Sequence, residues 1–258
     1  MTNSGYRTLK LKKKQQTTWI ILNRPNKLNA INASMLQELS ETIDTLEQDP
    51  NVNCVVITGE GQKAFSSGAD LTELQKLTPE TVSEFSVNGQ RVFSKLEKMS
   101  KPVVAAINGY ALGGGLELAL ACDFRIAAEN AEFGCPEIKL GFVPAWGGTQ
   151  RLPLTVGLSN AKQLIMTGNK ILAKEAYSMG LVDKVVSLQE LETETQALAQ
   201  RLCEQASSAL KHAKCAINLV SKVSSEGLKK ETEAFVMLFS AKETKKKIEK
   251  FGSQRNKK

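Results

Sequence analysis

The sequence predicts an α/β fold with a helical C-terminal segment. Two observations carry that expectation. Apolar, β-branched runs alternate with stretches of helical apolar spacing as far as about residue 190, and beyond it only helical spacing continues. A chain of 258 residues, 41% hydrophobic, is also long enough to bury one large core.

Taken in order, Thr18–Leu22 reads as a buried strand closed by the turn signal Asn23-Arg24-Pro25-Asn26. A helix is expected from about Ser34, where Ser34-x-x-Gln37 matches a capping box and Leu36, Leu39, Ile43 and Leu46 share one face. Cys54–Thr58 is the next strand; Gly59-Glu60-Gly61 turns it toward the loop Ser66-Ser67-Gly68-Ala69-Asp70. Phe85, Val92, Leu96 and Met99 mark a helix that stops before Pro102. Val103–Ile107 is a third strand, and Phe124–Ala128 and Val182–Val186 are weaker ones. Alternation of this kind by itself suggests βαβ units in a doubly wound sheet. From Leu191 onward, Leu198 and Leu202, then Phe235, Leu238 and Phe239, keep helical spacing.

Simple counts exclude whole chemistries. A single histidine, His212, rules out a His-rich metal centre and gives a Ser-His-Asp arrangement little support. Five cysteines (Cys54, Cys122, Cys135, Cys203, Cys215) with no C-x-x-C pair argue against a disulfide framework or structural zinc, and suit a reducing, cytoplasmic setting. No apolar run approaches the roughly 20 residues of a membrane span, and none follows the basic N-terminus to make a secretory signal. The net charge of +7 is uneven: residues 1–16 carry five bases and no acid, residues 242–258 eight bases and two acids, and the body between is mildly acidic.

Two features point to chemistry. Asn108–Glu117 leaves a strand and enters a helix through Gly113-Gly114-Gly115. Glycines there let a ligand approach unpaired N–H donors that favour an anion or a developing oxyanion; a tight packing turn would use them equally. The spacing fits neither a dinucleotide fingerprint nor a P-loop. The second feature is a pair of carboxylates. Glu117 is embedded in the apolar stretch Leu116–Ala121, where burial would raise its pKa toward neutrality. Glu137 follows Pro136 and precedes the glycine-bearing loop Gly141–Gly148. Spacing alone does not bring the two together.

The segments NRPNKLNAI (23–31), VVITGEGQKAFSSGADL (55–71), KPVVAAINGYALGGGLELALACDFRIA (101–127) and AEFGCPEIKLGFVPAWGGTQRLP (131–153) form a recognisable set. With them the chain resembles the crotonase (enoyl-CoA hydratase/isomerase) family over nearly its whole length. The resemblance implies a spiral of ββα turns over residues 1–190 that carries the active site, in place of a doubly wound sheet. It implies a helical region, 191–258, that completes the CoA site and packs homotrimers, commonly paired into hexamers. The substrate it implies is an acyl-CoA thioester whose oxygen sits in a hole formed by the backbone N–H groups of Ala69 and Gly114. Glu117 and Glu137 fall on the two hydratase positions: one activates the water that attacks C3, the other exchanges the proton at C2. CoA and acyl contacts are implied at Lys27, Leu28, Ala69, Asp70, Leu71, Gly114, Ala145, Trp146 and Lys245. No metal or separate cofactor is implied, since coenzyme A belongs to the substrate.

The chain departs from the family pattern at two places. Pro144-Ala145-Trp146-Gly147-Gly148 stands where Pro-Gly-x-Gly-Gly is common, and Trp146 either shortens the acyl pocket, favouring crotonyl-CoA or acryloyl-CoA, or simply packs. Lys245 lies in Glu243-Thr244-Lys245-Lys246-Lys247, with altered neighbours. The alternatives are an enoyl-CoA isomerase or another acyl-CoA reaction of the family and, from a different class, an RNA-binding protein that uses its basic ends. Only 5% of residues are aromatic, which disfavours nucleic acid as a partner.

Overall fold

The computed structural model describes residues 5–78, 80–220 and 225–255. In chain order its elements are β1 (Leu9–Lys14), β2 (Thr17–Leu22), a 3-10 turn (Pro25–Lys27), α1 (Ala33–Gln48), β3 (Cys54–Gly59), β4 (Ala64–Ser66), α2 (Leu71–Leu74), α3 (Val82–Lys98), β5 (Val103–Ile107), β6 (Tyr110–Leu112) and α4 (Gly114–Leu120). These are followed by β7 (Phe124–Ala128), β8 (Glu132–Gly134), a second 3-10 turn (Pro136–Leu140), α5 (Gly148–Thr167), β9 (Lys170–Leu172), α6 (Ala173–Ser178) and β10 (Lys184–Val186). Four helices close the chain: α7 (Leu191–Cys203), α8 (Ser207–Val220), α9 (Ser225–Phe239) and α10 (Lys242–Arg255).

Two sheets organise these elements. The larger runs β1-β2-β3-β5-β7-β10 and is parallel except for the β1–β2 hairpin. The smaller runs β4-β6-β8-β9 and is parallel except at β8–β9. From β3 to β8 successive strands alternate between the sheets, so each pair of strands with its helix makes one ββα turn of a spiral. A doubly wound sheet, the expectation from alternation alone, is thereby corrected. That expectation failed because β4, β6, β8 and β9 are only three residues long and leave no periodic signature.

The central strands read as continuous apolar runs because both faces of the larger sheet are covered. Alternate residues divide between two cores. Ile20, Val55, Ile57, Val103, Ala105 and Ile107 face α1 and α3 in the main core. Trp19, Val56, Val104, Ala106, Ile126 and Ala128 face Leu191 and Ala199 of α7. Helix α9 packs on α3 and α5, and α10 lies against α2, α9 and the second 3-10 turn.

One local expectation is corrected, and one segment gains an assignment. Helix α1 begins at Ala33, because Asn32 rather than Ser34 caps it: the Asn32 side chain accepts from Met35 N at 3.0 Å. The basic N-terminal segment belongs largely to β1, with Leu9 buried and the lysines paired to acids. Lys10 meets Glu60 at 3.2 Å, Lys12 meets Glu192 at 2.9 Å, Lys13 meets Asp49 at 3.8 Å, and Lys14 also pairs with Glu192. Among the described residues no helix is long and apolar enough to cross a membrane.

Candidate active site

Two loops leave the smaller sheet and meet. Strand β4 ends at Ser66 and leads into Gly68, whose φ of +96° is open to glycine with little strain. Strand β6 ends at Leu112 and passes through Gly113 (φ +50°) into α4. They pack so closely that a Cβ on Gly68 would lie 3.2 Å from Gly114 N, and one on Gly114 would lie 3.4 Å from Ala69 N. The bridge between Ile31 and this loop uses Gly68 O (from Ile31 N, 2.8 Å) and Asp70 N (to Ile31 O, 2.8 Å), which leaves the Ala69 N–H out of it. Among the described residues neither Ala69 N nor Gly114 N has a hydrogen-bond acceptor. The structure therefore places two free amides on adjoining loops.

Asp70 fixes its own loop. Its side chain caps α2 by accepting from Thr72 N (3.1 Å) and Thr72 Oγ1 (2.8 Å), and pairs with Arg24 Nη2 at 2.8 Å. Burial works to raise the Asp70 carboxyl, but the bonds from Thr72 and Arg24 win and hold it below its usual value.

Glu117 lies in the first turn of α4 and is only 2% exposed. Its Oε1 accepts from Trp146 N (2.8 Å) and Gly148 N (2.7 Å). Burial, followed by repulsion from Glu231 and Glu137, raises this carboxyl well above its usual range, and the two amides only partly offset the rise. Glu137 opens the second 3-10 turn and is 8% exposed. Its Oε1 rests on Gly113, where a Cβ would lie 2.8 Å away, and its Oε2 is buried with no hydrogen-bond partner among the described residues. Burial pushes the Glu137 carboxyl up to about 7; its own amide opposes the rise and Glu231 adds to it. Glu137 thus lies against Gly113 and Glu117 against Gly148, and burial shifts both carboxyls toward the neutral form.

Ala145 and Trp146 are both buried. The indole lies 5.1 Å from Phe85 and edge-on to Phe93 at 5.5 Å (ring centroids), and its Nε1 donates to Phe85 O at 3.2 Å. Its far edge covers Gly114, where a Cβ would lie 2.4 Å from the ring. Leu28 neighbours the first loop, its O accepting from Ser67 N at 2.9 Å, and Leu71 is half-buried at the start of α2. Lys27 is exposed beside Leu28. Lys245 is exposed on α10, and Thr244 before it docks on Gly141 through a 3.2 Å bond to the carbonyl. Neither lysine joins the buried cluster. Among the described residues no group of three or more metal-ligating side chains occurs.

Sequence reasoning missed a third buried carboxylate, Glu231 of α9, which is 4% exposed. It accepts from Gly147 N (2.6 Å), Thr149 N (2.9 Å), the Thr149 hydroxyl and Gln90 Nε2 (3.2 Å). The available signal was position: Glu231, Phe235 and Phe239 fall four apart on the buried stripe of α9.

A family model for enoyl-CoA hydratase/isomerase matches residues 12–258. The chain belongs to the enoyl-CoA hydratase/isomerase family. Its family relatives include a crotonyl-CoA hydratase of Syntrophomonas wolfei, 41% identical over 252 residues that cover 97% of each chain. A short-chain-enoyl-CoA hydratase of Clostridium acetobutylicum is 42% identical over 246 residues, 95% of this chain and 94% of that one. The fold is that of solved family members. The enoyl-CoA hydratase of Bacillus anthracis aligns with a TM-score of 0.82 at 36% identity, covering 96% of this chain and 97% of that one. An enoyl-CoA hydratase/isomerase of Mycobacterium paratuberculosis gives 0.88 at 28% identity, covering 94% and 98%.

Proposed function

We propose that this protein is an enoyl-CoA hydratase that reversibly adds water to a short trans-2-enoyl-CoA such as crotonyl-CoA or acryloyl-CoA. One observation carries the reading: two free backbone amides sit on adjoining loops where α4 begins, the helix that carries the buried Glu117, and the buried Glu137 rests on Gly113 beside them. The Ala69 and Gly114 N–H groups receive the thioester oxygen and stabilise the enolate that forms as water attacks C3. Glu117, ionised, takes a proton from that water. Glu137, protonated, gives its proton to C2 as the enolate collapses. The product is the 3-hydroxyacyl thioester, and the pair has exchanged which member holds the proton. In the dehydration direction Glu137 removes the C2 proton and Glu117 protonates the leaving hydroxyl.

Coenzyme A belongs to the substrate, so the reaction written here calls on no other cofactor. Lys27, Leu28 and Leu71 edge the first loop, where they would meet the CoA moiety, and Lys245 of α10 would reach a CoA phosphate. Trp146 over Gly114 supports a short acyl chain, as do the names of the Syntrophomonas and Clostridium relatives. A homotrimer, or a hexamer of paired trimers, in the cytoplasm completes the proposal. RNA binding is disfavoured by the ion pairs that occupy the lysines of β1. The test is loss of the conjugated enoyl absorbance with crotonyl-CoA and longer enoyl-CoAs, and its gain with 3-hydroxyacyl-CoAs. Rapid turnover of crotonyl-CoA that falls with chain length is expected; double-bond migration without hydration would overturn the reading.

A further inference from the structure

Four successive backbone amides at the start of α5 are divided between two carboxylates on different elements. Trp146 N and Gly148 N donate to Glu117 of α4; Gly147 N and Thr149 N donate to Glu231 of α9. Each acid holds alternate amides of the same turn, so the turn can deliver two hydrogen bonds to Glu117 only in the conformation that Glu231 fixes. Three further bonds hold Glu231 and the turn. The Thr149 hydroxyl and Gln90 Nε2 donate to Glu231, and Arg151 Nη1 donates to Trp146 O at 3.0 Å.

We propose that Glu231 is a positioning residue for Glu117: it clamps the 146–149 turn and lends its negative charge to the site. The inference rests on the hydratase reading above, since it assigns Glu231 a task in a reaction that Glu117 and Glu137 perform. It also gives the C-terminal helical segment a part in catalysis within one chain, separate from any packing between subunits.

The ionisable groups around Glu231 come from several elements: Glu117 on α4, Cys135 and Glu137 at the second 3-10 turn, and Arg151 on α5. Arg151 Nη2 is paired with Glu97 of α3 at 3.1 Å, and α3 otherwise presents Gln90 and Ser86 to this region. Helix α10 turns Thr244 and Ile248 inward. Burial raises the Glu231 carboxyl above its usual value, the bonds from Thr149, Gly147 and Gln90 partly offsetting the rise, and like-charge repulsion from Glu231 raises both Glu117 and Glu137.

The test is Glu231→Gln, which keeps size and one acceptor but removes the charge. For crotonyl-CoA hydration kcat is expected to fall about tenfold or more with KM changed by less than about threefold, as for a lost transition-state interaction. Both limbs of the pH profile of kcat/KM are expected to move to lower pH, by about one unit. Glu231→Asp restores the charge and is expected to return the limbs to their wild-type positions. Thr149→Val removes a donor that favours the charged form of Glu231, so it should shift the limbs the same way by less, and Thr149→Ser should reverse that. This second pair decides the question if the Gln variant does not fold. A pH profile that coincides with wild type in Glu231→Gln or Thr149→Val overturns the proposal, even if melting temperature and kcat both fall, because that pattern describes a packing role alone. Absence of hydration by the wild-type protein would instead overturn the functional reading itself.

Discussion

Trp146 and Gly89 are fitted to each other so closely that a single methyl on Gly89 would lie 2.1 Å from the indole Cδ1. The indole is held between that glycine of α3 and Gly114 of α4, so its position and the floor of the proposed acyl pocket are one feature. Trp146→Ala is expected to cost about 3–5 kcal/mol of stability, as for other buried Trp truncations. In the folded fraction it should raise kcat/KM for long enoyl-CoAs relative to crotonyl-CoA. A chain-length series checks this; an unchanged ratio would leave the tryptophan a packing residue only. Gly89→Ala should destabilise by about 1–3 kcal/mol through overpacking, read as a lower melting temperature.

Glu117→Gln and Glu137→Gln are expected each to slow crotonyl-CoA hydration by about 10²–10⁴-fold, the usual contribution of a positioned acid or base. Binding of the substrate should change little, because neither substitution touches the amides of Ala69 and Gly114. Steady-state kinetics with a calorimetric affinity measurement separates the two effects. Near-normal turnover by both variants would dismiss the two-carboxylate mechanism.

The hydration and dehydration steps both start from a pair carrying one proton, on Glu137 in one direction and on Glu117 in the other. The two directions should therefore show the same bell-shaped pH dependence, with one limb near pH 7 where Glu137 titrates. Parallel kcat/KM profiles for crotonyl-CoA and its 3-hydroxy product check this. Opposite single limbs would exclude the shared proton.

The same burial has a cost in stability. Glu137 is raised from its usual 4.5 to about 7, so the folded chain holds its proton more tightly than the unfolded chain. The folded state is favoured below about pH 4.5 and loses that advantage as pH rises through 7, by about 3 kcal/mol for a shift of this size. Glu137→Gln should accordingly melt higher than wild type at pH 8, with the gain vanishing near pH 5. Thermal melts at the two pH values measure it, and equal melting temperatures at pH 8 would count against a buried, strained charge.

What could be read from the sequence follows from length and periodicity. Val103–Ile107 was legible because an unbroken apolar run has few other uses, and Glu117 because an acid stands out among Leu116, Leu118 and Leu120. The strand Leu9–Lys14 was hidden by its composition, since four lysines in six residues resemble a tail. Glu231 was hidden by Lys229, Lys230 and Glu233, which make its helix look uniformly solvated. Lys27 and Lys245, proposed to meet CoA, are exposed and came from family resemblance alone; nothing in their local pattern marks them.

Strand β1 forms one border of the larger sheet, and every second hydrogen-bonding position of such a border is open to another chain. Here that border carries Lys10, Lys12, Lys13 and Lys14, three of them exposed and each paired with an acid of its own molecule. A second sheet approaching in register would have to align its own cations against these. The lysines of β1, which first suggested a polyanion as partner, thereby set like charge in the path of edge-to-edge pairing.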